Sequence, residues 1–241
     1  MAHSLKYRRV LLKLSGEALH RETSEMLDPK ELNRIVSDIV AAADLGVQIG
    51  VVVGGGNLFR GEVLARNGID RITGDQMGML GTVINALALR DALEKHKKIA
   101  KIMSAIPIGG FAPLFERHKA IRYLEKGYIV IFAGGTGNPL VSTDSAASLR
   151  GIEIGAELLL KATHVDGIYN ADPKKDPKAV LYSHVSYEKA LEQELGIMDL
   201  GAFTQCRDHD LPILVFNIKC KNALVDILQG TEKGTLVSKR N

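Results

Sequence analysis

The sequence predicts an α/β fold, a three-layer sandwich of a mostly parallel central sheet between two helical layers. Three observations carry that prediction. Six short runs are apolar at nearly every position, amphipathic stretches of helical period lie between them, and glycines gather just past the run ends.

The first run, 10–14, is a strand leading straight into Lys13-Leu14-Ser15-Gly16. Asp28-Pro29-Lys30-Glu31 then reads as a helix start, with an N-cap aspartate, a proline at the first helical position and a capping-box acid. Leu32, Ile35, Val36, Ile39 and Val40 follow at the spacing of one buried stripe. The second strand, 47–53, ends in Gly54-Gly55-Gly56. Leu80, Val83, Ile84 and Leu87 repeat the helical period, and this spacing predicts a second buried stripe. A strand over 99–103 comes next. Ala120, Leu124 and the stop Gly127 mark a third helix, and a strand over 128–133 runs into Gly134-Gly135-Thr136-Gly137-Asn138-Pro139. Hydroxyl residues with Asp144 then open a further helix, before strands over 158–162 and 213–217. No composition shift or Pro/Ser-rich linker divides the chain, so 1–241 reads as a single domain without repeats.

Composition excludes several classes of protein. The chain has 241 residues, 46% hydrophobic and 24% charged, which is ordinary globular composition rather than disorder. A net charge of +3 is too small to point to nucleic acid. Lys95, Lys97, Lys98 and Lys101 form a basic cluster, but it reads as a helix C-terminus with favourably placed cations. Cys206 and Cys220 lack metal or CxxC spacing and suit a reducing cytosol. The longest uncharged run, 127–143, is broken by glycines and a proline and cannot be a membrane helix. The basic start of the chain is followed by an apolar stretch interrupted at Lys13 and Glu17, so no signal peptide is expected.

The 24 glycines, about a tenth of the chain, are a modest excess over the average of roughly 7%. In open parallel sheets ligands bind beyond the carboxyl ends of the strands, where these glycines fall. Lys13 at a strand end can project an ammonium into that crevice beside free N–H groups; it can equally close a strand before a surface turn. Three consecutive glycines suggest a backbone that must approach an anion closely, since one suffices for a turn. The spacing of Gly56 and Gly61 matches a P-loop, but Glu62 and Val63 stand where Lys and Ser/Thr are required, and no strand precedes a GxGxxG. In the run Ser142-Thr143-Asp144, simple capping explains one residue only. Lys161 is a second lysine at a strand end, and the turn after it, 163–173, reads either as a hairpin or as part of a site. Lys13, Arg60 and Lys161, with Asp144 to orient the lysines, form the apparatus of phosphoryl transfer, in which positioning and charge stabilisation dominate. There is no HExxH and the seven histidines are dispersed, so metal-dependent hydrolysis is not expected.

The runs Leu12-Lys13-Leu14-Ser15-Gly16-Glu17-Ala18, Gly54-Gly55-Gly56-Asn57-Leu58-Phe59-Arg60-Gly61, Asp75-Gln76-Met77-Gly78-Met79, Gly135-Thr136-Gly137-Asn138-Pro139 with Thr143-Asp144, and Thr163-His164-Val165-Asp166-Gly167-Ile168-Tyr169 with Asp172-Pro173 closely resemble the amino acid kinase superfamily and, within it, the bacterial UMP kinases. The resemblance covers essentially the whole chain. It implies about eight mostly parallel strands, transfer of the γ-phosphoryl group of ATP to UMP in pyrimidine nucleotide (CTP) biosynthesis, Mg²⁺ accompanying ATP, a cytoplasmic homohexamer, and no nucleic-acid or membrane partner. The amino-terminal half is expected to hold mainly UMP and the carboxy-terminal half mainly ATP.

Carried over by motif, Lys13, Leu14, Ser15 and Gly16 line the ATP phosphates, with Lys13 bridging the transferred group. Gly55 approaches UMP, Gly56 approaches ATP, and Arg60 contacts phosphate at the transfer point. Asp75 holds the UMP ribose, and Thr136, Gly137, Asn138, Pro139, Leu140, Val141, Ser142 and Thr143 wrap UMP. Thr163, Tyr169 and Asp172 meet the nucleoside end of ATP; Asp144 orients the two lysines, and Lys161 faces the leaving β-phosphate. No protein metal ligand is expected. After Ala18, many relatives carry a glycine-rich loop linked to activation by GTP, ending Gly-Phe-Gly-Ile-Asp. Here residues 19–28 lack those glycines, so a weak or altered GTP response is expected. Carbamate, acetylglutamate and aspartate kinases are the nearest siblings, but Asp75 and the GTGNP segment suit a nucleotide acceptor. A nucleotide binder without turnover is the alternative of a different class, and an oriented lysine pair is superfluous for binding alone.

Overall fold

The computed structural model describes residues 5–239 apart from 21–25, 172, 174 and 177. Its centre is an eight-stranded sheet built from β1 (Arg9–Leu14), β2 (Gln48–Val53), β3 (Ala100–Ser104), β4 (Ile129–Ala133), β5 (Leu158–Thr163), β6 (His184–Ser186), β7 (Ile213–Asn217) and β8 (Thr235–Ser238), in the order β3-β4-β2-β1-β5-β7-β8-β6. All neighbouring pairs are parallel except β7 with β8. Every residue of β2 and β4 is buried, as a sheet covered on both faces requires.

The helices are α1 (Pro29–Asp44), α2 (Gly61–Arg66), α3 (Arg71–Lys95), α4 (Arg117–Glu125), α5 (Thr143–Ile154), α6 (Tyr187–Glu192), α7 (Leu200–Asp208) and α8 (Ala223–Leu228), with a 3₁₀ turn over Gly16–Leu19. The capping signal of α1 forms as the sequence predicts. Asp28 accepts the Lys30 N–H at 2.8 Å, Pro29 takes the first helical position, and Ile35, Val36 and Ile39 are fully buried.

Side chains alternate across a strand, so β1 divides between two cores. Val10, Leu12 and Leu14 join the core under α1, α3 and α8, whereas Leu11 joins the one under α4, α5 and α7. Full burial of each such leucine contributes about 1.5–3 kcal/mol. The same alternation sends Lys13 to the side of Leu11, the side covered by α5. In β5, Leu158 and Leu160 face the first core and Leu159 the second, so Lys161 emerges on the same side as Lys13.

The face of α3 differs from the expected one. Leu80 and Ile84 are 47% and 45% exposed, while Val83, Ala86, Leu89 and Leu93 are buried together with Gly81, Thr82 and Asn85. The packed face is made largely of small residues, which let the helix approach the turn after β2. In the basic cluster, Lys95 pairs with Asp91 and Lys98 with Asp44; Lys95, Lys97 and Lys98 lie at the end of α3 and in the turn behind it, and Lys101 lies in β3.

Candidate functional site

Lys13 and Lys161 are register partners in the pairing of β1 with β5. Both project toward the amino-terminal end of α5, where Asp144 sits in the first turn. Asp144 Oδ1 lies 2.8 Å from Lys13 Nζ and Oδ2 lies 2.6 Å from Lys161 Nζ, with all three side chains only 12–14% exposed. Lys161 also donates to the Ile197 carbonyl. Lys13 is therefore not a lysine closing a strand at the surface. Nor is Asp144 a cap: Ser142 caps α5, accepting the Ser145 N–H at 3.1 Å and donating to Asp199, which leaves the Asp144 carboxylate for the two ammonium groups.

Burial disfavours the charged form of Asp144, but the charges of Lys13 and Lys161 outweigh it and hold the carboxyl below the usual aspartate value. Lys161 is shifted in the same direction, which for a lysine disfavours the charged form. Burial lowers its pKa below the ordinary lysine value, Lys13 adds repulsion, and Asp144 restores part of the loss.

The three consecutive glycines have different reasons. A Cβ on Gly54 would stand 2.9 Å from the Gly16 nitrogen, and one on Gly55 would stand 2.3 Å from the Gly78 carbonyl oxygen of α3. These two are fixed by backbone packing. A Cβ on Gly56 would meet only the Arg60 side chain, at 3.6 Å, so this glycine faces open space. The buried Asn85 holds the turn from behind, donating to the Gly54 carbonyl at 2.7 Å and to Asn57 Oδ1 at 2.7 Å.

The bend after β4 places Gly134, Gly135 and Gly137 at φ of 76°, 59° and 89°, and Leu140 also adopts a left-handed φ of 65°. Thr82 of α3 anchors it, its hydroxyl accepting the Gly134 N–H at 2.7 Å. This bend and the turn after β2 enclose a cavity of about 310 Å³. Of the residues expected at UMP, Gly55, Asp75, Asn138, Leu140, Val141, Ser142 and Thr143 line it, joined by Gly56 and Arg60. Thr136, Gly137 and Pro139 belong to the bend but not to that lining; Gly137 backs onto the Ala105 carbonyl instead. Arg60 Nε donates to the Gly56 carbonyl at 3.3 Å, and its guanidinium pairs with Glu17.

A second cavity of about 560 Å³ opens on the other side, lined by Lys161, Thr163 and Tyr169 with the stretch 193–197. The turn carrying Tyr169 is hairpin-like: Tyr182 N–H donates to the Ile168 carbonyl and Asn170 N–H to the Val180 carbonyl. Tyr169, at the base of this hairpin-like turn, also lines the cavity. Thr163 spends its hydroxyl locally, donating toward the Val165 carbonyl at 2.8 Å. Asp172 lies outside the described residues. The Leu14 side chain is fully buried in the core, so only its backbone is available to a ligand, and Gly16 is packed beneath Gly56 and Asn57. Thr143 lines the first cavity, Asp144 follows it, and Lys161 lines the second. The carboxylate with its two lysines stands at the junction.

The amino acid kinase family profile matches residues 8–217. The chain belongs to the amino acid kinase family. Among members of this family, the uridylate kinase of Coxiella burnetii is 58% identical over 231 residues, covering 96% of this chain and 95% of that protein. The uridylate kinase of Saccharophagus degradans is 54% identical over 96% of this chain and 94% of its own. A solved structure of UMP kinase from Bacillus anthracis superposes with a TM-score of 0.95 at 39% identity, covering 98% of this chain and 97% of that one. In this amino acid kinase fold, sequence reasoning missed Arg71 and Thr82 in the lining of the first cavity and Asn85 behind it. For Arg71 a signal existed, an arginine four residues before Asp75 on one helix face. For Thr82 and Asn85, polar residues inside an apolar helix, the signal was their place among small residues.

Proposed function

We infer that the chain is a phosphotransferase that moves the γ-phosphoryl group of ATP to UMP, giving ADP and UDP. The observation that carries this reading is the bridge Lys13–Asp144–Lys161 between two cavities, one for the acceptor and one for the donor. Two polyanions must be brought within reach and the charge on the transferred group neutralised, which is the work of placed cations and N–H groups. An acceptor phosphate oxygen is already ionised near neutral pH, so no general base is needed.

In this reading the first cavity takes UMP, with Asp75 at the ribose, Gly55 and the bend 136–143 around the nucleotide, and Arg60 at the phosphate. The second takes the nucleoside end of ATP against Thr163 and Tyr169. Lys13, with the backbone of Leu14, Ser15, Gly16 and Gly56, lies along the ATP phosphates. Lys13 meets the transferred group, Lys161 the β-phosphate that leaves with ADP, and Asp144 keeps both ammonium groups oriented. The amino-terminal half thus serves mainly UMP and the carboxy-terminal half mainly ATP. Arg60 exchanges the Glu17 carboxylate for phosphate when the site fills.

Among the described residues no group of three or more candidate ligand side chains is formed, and Asp144 is committed to two ammonium groups. In this reading Mg²⁺ accompanies ATP and would supply charge neutralisation at its phosphates. A homohexamer in a reducing cytosol completes the reading. The half-exposed Leu80 and Ile84 on α3 and the free thiols Cys206 and Cys220 support it. No helix among the described residues is long and apolar enough to cross a membrane.

An assay of ADP release with ATP and a panel of UMP, CMP, dUMP, carbamate and acetylglutamate tests the reading. Turnover with UMP alone is expected. Turnover with carbamate or acetylglutamate moves the chain to a sibling activity, and tight binding without turnover makes it a binding protein.

A further inference from the structure

Arg71 opens α3 one turn ahead of Asp75, and both side chains line the first cavity. The Arg71 Nε–H is shared between the two Asp75 carboxylate oxygens, at 3.0 and 3.1 Å, and the Leu140 N–H donates to Asp75 Oδ2 at 2.9 Å. Asp75 is 16% exposed and Arg71 49%: the carboxylate sits within the cavity wall and the guanidinium on its rim.

An ionised carboxylate offers about four acceptor sites. The shared Nε–H occupies one on each oxygen, and the Leu140 N–H occupies the second on Oδ2. One site on Oδ1 remains. Beside that oxygen stands Gly61, where a Cβ would come within 2.0 Å of Oδ1, so the absence of a side chain there keeps the carboxylate in place. Leu140 holds a left-handed backbone that is uncommon for a residue with a side chain, and its bond to Asp75 ties the bend after β4 to the start of α3.

We propose that Arg71 is the positioning residue that sets acceptor specificity: it clamps Asp75 so that a single carboxylate acceptor meets one ribose hydroxyl of the bound nucleoside monophosphate, while the same carboxylate retains Leu140. The inference rests on the assignment of the first cavity to UMP. Without the guanidinium the carboxylate is free to turn about its terminal bond, and both the ribose contact and the Leu140 contact loosen together.

Steady-state kinetics at saturating ATP test this, with UMP, 2′-deoxy-UMP and 3′-deoxy-UMP as acceptors and Arg71→Met, Arg71→Lys, Asp75→Asn and the Met/Asn double variant as enzymes. Loss of one hydrogen bond to a charged group corresponds to about a tenfold or greater change. Arg71→Met is expected to raise KM for UMP about tenfold, with kcat and KM for ATP within twofold. Its preference for UMP over one of the deoxy acceptors collapses, Arg71→Lys restores part of it, and the double variant is no worse than Asp75→Asn alone. Multiplying effects in the double variant, or a fall in kcat with KM for UMP unmoved, overturn the proposal. Should Arg71→Met fail to fold in a thermal melt, Arg71→Lys against Asp75→Asn decides by the same ratios. If Asp75→Asn alone leaves the UMP and deoxy-UMP values intact, the ribose assignment of the cavity fails, and the proposal with it.

Discussion

Lys13 and Lys161 occupy the same level of adjacent parallel strands, and one carboxylate, Asp144, spans the two ammonium groups at 2.8 and 2.6 Å. Like charges side by side in a partly buried site repel, and the shared aspartate offsets that repulsion. Removal of either lysine leaves a neutral lysine–aspartate pair, so the expected kinetic effects fall on the chemical step rather than on acceptor binding.

Lys13→Ala is expected to lower kcat by about 10²–10³-fold, the usual loss for one charge-stabilising donor at a transferring group, while KM for UMP changes by much less. Initial rates at saturating ATP with UMP varied provide the check. A variant with near-normal kcat removes Lys13 from the transferred group.

The pH profile follows from the lowered pKa values of Asp144 and Lys161. Lys161 has a lowered pKa in the folded chain, so its proton leaves, and kcat declines, at a lower pH than an ordinary lysine would give. Asp144→Asn removes the attraction that supports the charged lysine, and the alkaline limb is expected to move further down in pH. The stability signs can be worked out as well. Asp144, depressed when folded, contributes stability that is present above its unfolded pKa and is lost as pH falls through the folded one. Lys161, also depressed, binds its proton more weakly in the folded chain, so stability rises as pH climbs from its folded value toward its unfolded value. Melting curves from acid to alkaline pH on the parent and on Asp144→Asn separate the two: the variant should lose the acid-side dependence.

Two neighbouring glycines should behave differently. Gly55→Ala forces a methyl against the Gly78 carbonyl, 2.3 Å away, and overpacking of this kind costs about 1–3 kcal/mol. Gly56→Ala meets nothing closer than the Arg60 side chain at 3.6 Å, so its folding free energy should change by no more than about 0.5 kcal/mol. Denaturant titration checks both. Activity lost in Gly56→Ala at unchanged stability then reports on ligand approach alone.

GTP added at fixed ATP and UMP is expected to change the rate only weakly. The motivation is the missing glycines of 19–28, of which 21–25 lie outside the described residues. Strong activation in that assay would show that the effector response survives without the glycine-rich loop.

Much of this architecture is legible in the sequence because its central strands are buried on both faces. The runs that became β1, β2, β3, β4, β5 and β7 are apolar at nearly every position, and the strands match them to within one or two residues. The missed strands, β6 with sequence HVS and β8 with TLVS, are only three and four residues long and bounded by polar residues, and a pattern so brief carries no signal above that of a turn. The orientation of α3 was misread for a different reason. Large residues mark the core face only where the neighbour is other side chains, whereas α3 packs against the backbone of the glycine turn and must present Gly78, Gly81 and Thr82 there. At the site, Lys13 and Lys161 stand at strand ends, where the pattern of the runs points to them; the spacing of Arg71 to Asp75 is a weaker signal, because the significance of Arg71 comes from what Asp75 does.

The position of β1 in the middle of the sheet, paired with β2 on one side and with β5 on the other, has a consequence for how the enzyme comes into being. On the ribosome, at about 5–20 residues per second, Lys13 emerges on the order of ten seconds before its strand partner Lys161 has been made. During that interval the first strand has one edge unpaired and its buried lysine has no carboxylate to meet. A nascent chain is thus inert by construction, and phosphoryl transfer can begin only after the two distant parts of the polypeptide have closed on each other.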